Sequence, residues 1–162
     1  MIKGTLSEEE IQAGKRLGNR RYKESRKQGL KQSIKNYSVE IDYLGAWGEI
    51  AVAKALGIEF IPTVNTFKAA DIGVNLQVRT TDWPNGHLLV KDRDNDDHIY
   101  ILCRCPRFPK FEIVGWCFGR EAKNPDWLTD FGAYSVPNNK LRSIETLNST
   151  PEYQQNLIGV QV

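Results

Sequence analysis

Residues 44–58 read Leu-Gly-Ala-Trp-Gly-Glu-Ile-Ala-Val-Ala-Lys-Ala-Leu-Gly-Ile, and Glu49 and Lys54 are the only charged side chains in that run. A helix that starts near Ser38 and stops at Gly57, where glycine supplies the usual cap, is apolar nearly all round and therefore buried. Glu49 is the anomaly on it. A lone carboxylate on such a surface must be ion-paired, coordinated to a metal or protonated. Lys54, five residues on, lies on a different face and is not its natural partner.

Beyond this helix the period becomes strand-like. Phe60-Ile61 and residues 71–81 read as strands, with Leu76 and Val78 on one face and Gln77 and Arg79 on the other. Trp83-Pro84-Asn85-Gly86 is a turn. Strands follow over residues 87–91, 98–105 and 111–118, with a charged turn over 92–97. The order predicts an antiparallel meander after the helix and a mixed tail over residues 126–147. The fold class is α/β, a central mixed sheet flanked by helices, with the Glu49 helix packed on one face.

Upstream, Ser7-Glu8-Glu9-Glu10 has the form of a capping box, and a helix is expected from there to about Gln32. Its apolar points, Ile11, Leu17 and Leu30, are sparse. The chain of 162 residues carries 22 Lys+Arg against 20 Asp+Glu, a net charge of +2. That figure averages two unlike parts. Residues 1–36 hold ten basic and four acidic side chains, a net +6, and the remainder is −4. The division expected is a basic helical N-terminal arm over 1–36, outside the core, and a core over 37–162. Two readings of the arm compete evenly: a solvated helix leaning on the body or a partner, and a nucleic-acid arm. In the second, Lys15, Arg16, Arg20, Arg21, Lys23, Arg26 and Lys27 would contact the backbone of DNA, with Lys31 and Lys35 in the same cluster.

Several function classes lose support. No run approaches the ~20 apolar residues of a membrane span, and no signal sequence is evident. Cys103, Cys105 and Cys117 make neither a disulfide framework nor a paired C-x-x-C zinc site, and read as reduced core residues of a cytoplasmic protein. Phosphate-binding glycine loops and H-E-x-x-H are absent. Asp92-x-Asp94-x-Asp96 imitates the start of an EF-hand loop but continues with Asp97 instead of glycine, so it reads as a solvated turn. Trp83 and Trp127 fall in expected loops, where an exposed ring could stack on an unpaired base, but ordinary packing is the favoured explanation.

One carboxylate from a buried helix, one from the start of a strand, and a polar-x-basic tripeptide on that strand can converge at one point. Here the sequence resembles the PD-(D/E)XK nuclease superfamily over roughly residues 44–118. Gly45-Ala46-Trp47-Gly48-Glu49 looks like the first-helix G-x-x-G-E motif of resolvase-like and Mrr-like members. Ala70-Asp71-Ile72-Gly73 is similar to the family's hairpin aspartate, and Gln77-Val78-Arg79 to its (D/E/Q)-x-K strand. Residues 99–103, Ile113-Val114-Gly115-Trp116 and Ala133-Tyr134-Ser135-Val136-Pro137 with Leu141 look like small phage-encoded members.

The resemblance implies a restriction-endonuclease-like core and a metal-dependent endo- or exodeoxyribonuclease. It places Mg²⁺ or Mn²⁺ on Glu49, Asp71, the Gln77 amide oxygen and the Val78 carbonyl, with Arg79 in the place of the lysine. Arginine binds phosphate as a planar fork but does not readily act as a base. Lys91, on the strand expected next, is a candidate replacement ammonium and nucleic-acid contact. In the structural alternative, Glu49 and Arg79 form a buried ion pair and Asp71 is a turn former. The alternative functions are a catalytically inactive nucleic-acid-binding or regulatory module of the same fold and a protein-interaction factor. DNA is the expected partner, with RNA or a protein as alternatives and no membrane. A homodimer is expected if both strands are cut, and the compartment is the cytoplasm, the host's if phage-encoded.

Overall fold

The computed structural model describes residues 1–29, 37–64 and 69–160, with side chains to residue 155. Ser7 caps the first helix, α1 (Glu8–Lys27), with the expected box: its Oγ accepts the Glu10 N–H at 3.2 Å, and Glu10 Oε1 accepts the Ser7 N–H at 2.7 Å. The expected continuation towards Gln32, with Leu30, Lys31 and Lys35, lies outside the described residues. The second helix, α2 (Val39–Leu56), ends at Gly57 with φ +69°, a left-handed cap.

The strands are β1 (Ile2–Thr5), β2 (Leu76–Thr81), β3 (Leu88–Lys91), β4 (Ile99–Arg107), β5 (Lys110–Phe118), β6 (Ala133–Val136) and β7 (Arg142–Ser143). The main sheet is mixed, in the order β1-β5-β4-β2, with β7 also on β5; β3 and β6 form a separate antiparallel ribbon. A short α3 (Gly119–Ala122) follows β5, and α4 (Pro151–Val160) closes the described chain. No helix among the described residues is long and apolar enough to cross a membrane.

The alternation expected along β2 holds, β4 follows the same pattern, and together they sort two cores. Leu76 and Val78, with Ile99, Ile101, Cys103 and Cys105, pack against Ile50 and Ala53 of α2. On the opposite face Tyr100 and Leu102 pack against Leu88, Val90 and Val136 of the ribbon. All three cysteines are free and buried, and burial pushes their thiols up.

The pairing departs from the expected meander. β2 and β4 are parallel, from Leu76 beside Ile99 to Thr81 beside Arg104, while β3 leaves the sheet to pair with β6. Two parallel strands need a crossover between them, and residues 82–98 supply it as an excursion over one face of the sheet. Phe60-Ile61, read as a strand, lies outside regular structure.

The N-terminal segment, expected as a basic helical arm outside the core, contributes a strand to the sheet and packs its helix on α2. β1 pairs antiparallel with β5, from Ile2 beside Ile113 to Thr5 beside Lys110. α1 lies on α2 through two glycines, where an added Cβ would fall 2.1 Å from Trp47 at Gly14 and 2.5 Å from Tyr43 at Gly18. The Trp47 indole N–H donates to Ile11 O at 2.9 Å, and Leu17 is buried beneath the helix. Small residues replace a wide apolar stripe, so the sparse pattern of α1 still buries one side.

Candidate functional site

A tight reversal brings Asp71 beside the Gln77-Val78-Arg79 strand. Ile72 N–H donates to Leu76 O at 3.1 Å and Leu76 N–H to Ile72 O at 3.2 Å, with Gly73 at φ +60°, which glycine adopts readily. Asp71 is thereby laid along the side of β2 that β4 does not cover. There its Oδ2 accepts the Val78 N–H at 2.8 Å. The N–H and C=O of a strand residue point to the same side, so the Val78 carbonyl shares this edge with Asp71. Burial raises the Asp71 carboxyl, against the pull of the Val78 N–H and Arg79.

Glu49 reaches the same place from α2. A Cβ on the preceding residue, Gly48, would lie 1.8 Å from Thr80 Oγ1, so the helix meets β2 at glycine and closes the distance between helix and strand. Glu49 is 5% exposed. Burial pushes its carboxyl up to about 7, with the charge of Asp71 adding to the shift and Arg21 and Arg79 opposing it.

The partner of Glu49 is Arg21 of α1, neither Lys54 nor Arg79. Arg21 Nη1 lies 2.6 Å from Glu49 Oε2 and Nη2 2.9 Å from Oε1, while Nε donates to Thr63 O at 2.9 Å. Burial works against the Arg21 charge, but Glu49, Asp71 and Asp42 hold it protonated. Lys54 instead bonds Glu10 Oε1 at 2.7 Å and Thr5 O at 3.0 Å.

Arg79 spans the other side. Its Nη2 bonds Asp94 Oδ2 at 3.0 Å, its Nη1 lies 4.0 Å from Asp71 Oδ2, and its guanidinium carbon sits 5.0 Å from the centre of the Tyr100 ring. Two arginines are thus interleaved with the carboxylates of Glu49, Asp71 and Asp94. Gln77 is tethered by its amide nitrogen: its Nε2 donates to Ala69 O at 3.2 Å and lies 3.0 Å from His98 Nδ1. Burial lowers the His98 pKa, which favours a neutral ring that can accept there.

The structure therefore brings Glu49, Asp71, Val78 and Arg79 to one edge, with Gln77 on the same strand and its amide nitrogen committed elsewhere. Lys91 departs from expectation. Its strand is not the neighbour of β2, its side chain is exposed, and its link to the site is a backbone N–H donated to Asp94 Oδ2 at 2.8 Å. Lys15, Arg16, Arg20, Lys23, Arg26 and Lys27 are exposed along α1, as a backbone-contacting surface requires, whereas Arg21 is turned inward onto Glu49.

Arg21 as an ion-pair partner, Asp94 and His98 were not found by sequence reasoning. Asp94 carried a signal in the Asp92-x-Asp94-x-Asp96 turn. That turn is not simply solvated: Lys123 Nζ sits in it, bonding Asp92 O at 2.8 Å, Asp94 O at 2.7 Å and Asp96 Oδ1 at 2.5 Å. The turn thus holds the protein's own ammonium on two carbonyls and one carboxylate, while the Asp92 and Asp94 side chains bond Tyr134 and Arg79.

Among the described residues no cluster of three or more His, Cys, Asp or Glu side chains could hold a metal. The oxygen donors at the β2 edge are two carboxylates and a carbonyl. Such a set suits Mg²⁺, which keeps several waters, and the push of Asp71 on Glu49 is the repulsion that a cation between them would relieve. Arg21 takes one lone pair on each Glu49 oxygen, so a second on each is left to join such a set. No family model matches the chain, and neither a curated protein nor a solved structure does.

Proposed function

We propose that this chain is a metal-dependent nuclease that hydrolyses phosphodiester bonds in DNA on a restriction-endonuclease-like core. The observation that carries the reading is the docking of Asp71 on the free edge of β2 at Val78, within electrostatic reach of both Glu49 and Arg79. Asp71, the Val78 carbonyl and Glu49 are the groups that would hold Mg²⁺ or Mn²⁺, with the Gln77 amide oxygen as a further donor. When bound, the ion supplies charge stabilisation at the phosphate and a water acidified for attack. Arg79 binds a phosphate oxygen as a fixed, always charged fork and stabilises the charge that develops there. Arg21 would hold Glu49 in place beside the ion. The exposed cations of α1 hold the flanking backbone and make binding salt-dependent.

A second reading has its own observation. Arg21 engages both oxygens of Glu49, so the protein satisfies its buried acid without a metal, as a catalytically silent nucleic-acid-binding or regulatory module would. Incubation with circular, linear and single-stranded DNA and with RNA in Mg²⁺ or Mn²⁺, beside Asp71→Ala, separates the two. Cleavage lost in Asp71→Ala supports the nuclease, and cleavage that survives the substitution overturns the site. Absence of cleavage with salt-sensitive binding supports the silent module.

A further inference from the structure

We infer that the turn Trp83-Pro84-Asn85-Gly86 is a stacking platform for an unpaired base of a DNA strand, seated in a cavity that opens onto Arg79. This deepens the nuclease reading by naming an unpaired nucleotide as what enters its site, and it rests on that reading for the identity of the polymer.

Trp83 is 73% exposed. A large ring left in water is ordinary on a mobile loop, but this turn is braced. The Trp83 N–H donates to Thr81 Oγ1 at 3.2 Å, Gly86 N–H to Trp83 O at 3.1 Å, and Arg104 Nε to Gly86 O at 3.0 Å. Gly86 also presses on Thr81, where a Cβ would fall 2.4 Å from Thr81 Cγ2. The ring is therefore presented from a fixed base, at the end of the strand that carries Arg79.

Beside it lies a cavity of about 500 Å³ lined by Arg79, Trp83, Asn85, His87, Leu89 and Ser135. That composition suits a nucleobase. Trp83 and Leu89 supply apolar contact, while the Asn85 amide and the His87–Ser135 pair, 3.0 Å apart, supply donors and acceptors for a base edge. Arg79 belongs both to this wall and to the Asp71–Asp94 cluster, so a base in the cavity brings its own phosphate towards the acidic edge of β2. On the other side of the turn Pro84 lines a second cavity of about 700 Å³ with Lys3, Arg107 and Lys110. That second side is net basic, three cations against Glu112, while Arg79 on the first side is shared with Asp94. A paired base inside a duplex has both faces covered, whereas an unstacked one offers a face to Trp83.

The test is binding in EDTA, so that cleavage plays no part, with a fluorescently labelled oligothymidylate and a duplex of mixed sequence as probes. The wild-type protein binds the single strand more tightly than the duplex. Trp83→Ala weakens the single strand about tenfold without lowering the melting temperature, Trp83→Phe restores most of the loss, and Phe131→Ala, at an equally exposed ring, changes nothing. Single-strand binding indifferent to Trp83→Ala, or a preference for duplex, overturns the platform. Trp83-dependent binding by a protein that cleaves nothing supports the platform and defeats the nuclease reading alone. Cleavage that needs Asp71, with binding that ignores Trp83, defeats the platform alone.

Discussion

Arg21 grips Glu49 with both arms of its guanidinium, at 2.6 Å and 2.9 Å, across the contact between the first two helices. The basic segment is consequently part of the acidic site as well as a charged surface beside it. Removing the arginine leaves a buried carboxylate with no full partner. Arg21→Met is expected to destabilise the protein by about 3–5 kcal/mol, while Arg21→Met with Glu49→Leu recovers most of that loss. Urea unfolding of the single and double variants measures both. An Arg21→Met protein as stable as wild type shows that the pair does not anchor the helix.

Glu49 also makes stability depend on pH. Its carboxyl is raised from an ordinary 4.5 to about 7 by burial. A group with a higher pKa in the folded state than in the unfolded chain favours folding most when protonated, so its contribution is complete below the unfolded value and disappears as pH rises through about 7. The melting temperature of wild type relative to Glu49→Gln should therefore fall between about pH 5 and about pH 8. A difference that stays flat or rises across this window contradicts the shift.

At the proposed metal site, protons would compete with the cation for the Glu49 and Asp71 oxygens. Mn²⁺ affinity, followed by calorimetry, is expected to rise by up to about tenfold per pH unit up to about pH 7 and then level off. Glu49→Gln should flatten the dependence and weaken binding. Mn²⁺ binding that is equally strong in Glu49→Gln and Asp71→Ala places the ion elsewhere.

Gly45 and Gly48 look alike in the sequence and have opposite surroundings. An added Cβ meets nothing within 4 Å at Gly45, but would lie 1.8 Å from Thr80 Oγ1 at Gly48. Gly45→Ala should stabilise α2 by about 0.5–1 kcal/mol through helix propensity. Gly48→Ala should cost about 1–3 kcal/mol by forcing helix and strand apart, and under the proposed nuclease reading should also reduce cleavage because Glu49 moves with the helix. Thermal unfolding of the two variants checks the sign of each.

Much of the site could be read from short stretches of chain. The helix bearing Glu49, the aspartate held at a glycine reversal, and the alternation that puts Leu76 and Val78 on one face with Gln77 and Arg79 on the other all follow from local periodicity, caps and turn chemistry. Those signals act over a few residues, which is why the helix expected from Ser38 to Gly57 appears as Val39–Leu56, while the strand expected over 71–81 begins only at Leu76, after the reversal. The lone carboxylate on an apolar helix likewise announced, from composition alone, that it needed a partner.

Which partner it found was decided only in three dimensions. Arg21 is 28 residues away in sequence and looked no different from the six exposed cations of its helix, because a basic residue carries no local mark of what it will face. Strand pairing behaves in the same way. The run from β2 to β4 reads as consecutive hairpins, yet β2 pairs parallel with β4 and β3 leaves for β6, since pairing depends on which edges and apolar faces meet after collapse. The sequence by itself determined the first two helices, most strands of the core, the buried faces of α2 and β2, and the need to neutralise Glu49. Tertiary packing chose the counter-ion, left one edge of β2 free for Asp71, and brought Asp94 to Arg79, because charge compensation and strand pairing answer to distance in space and not along the chain.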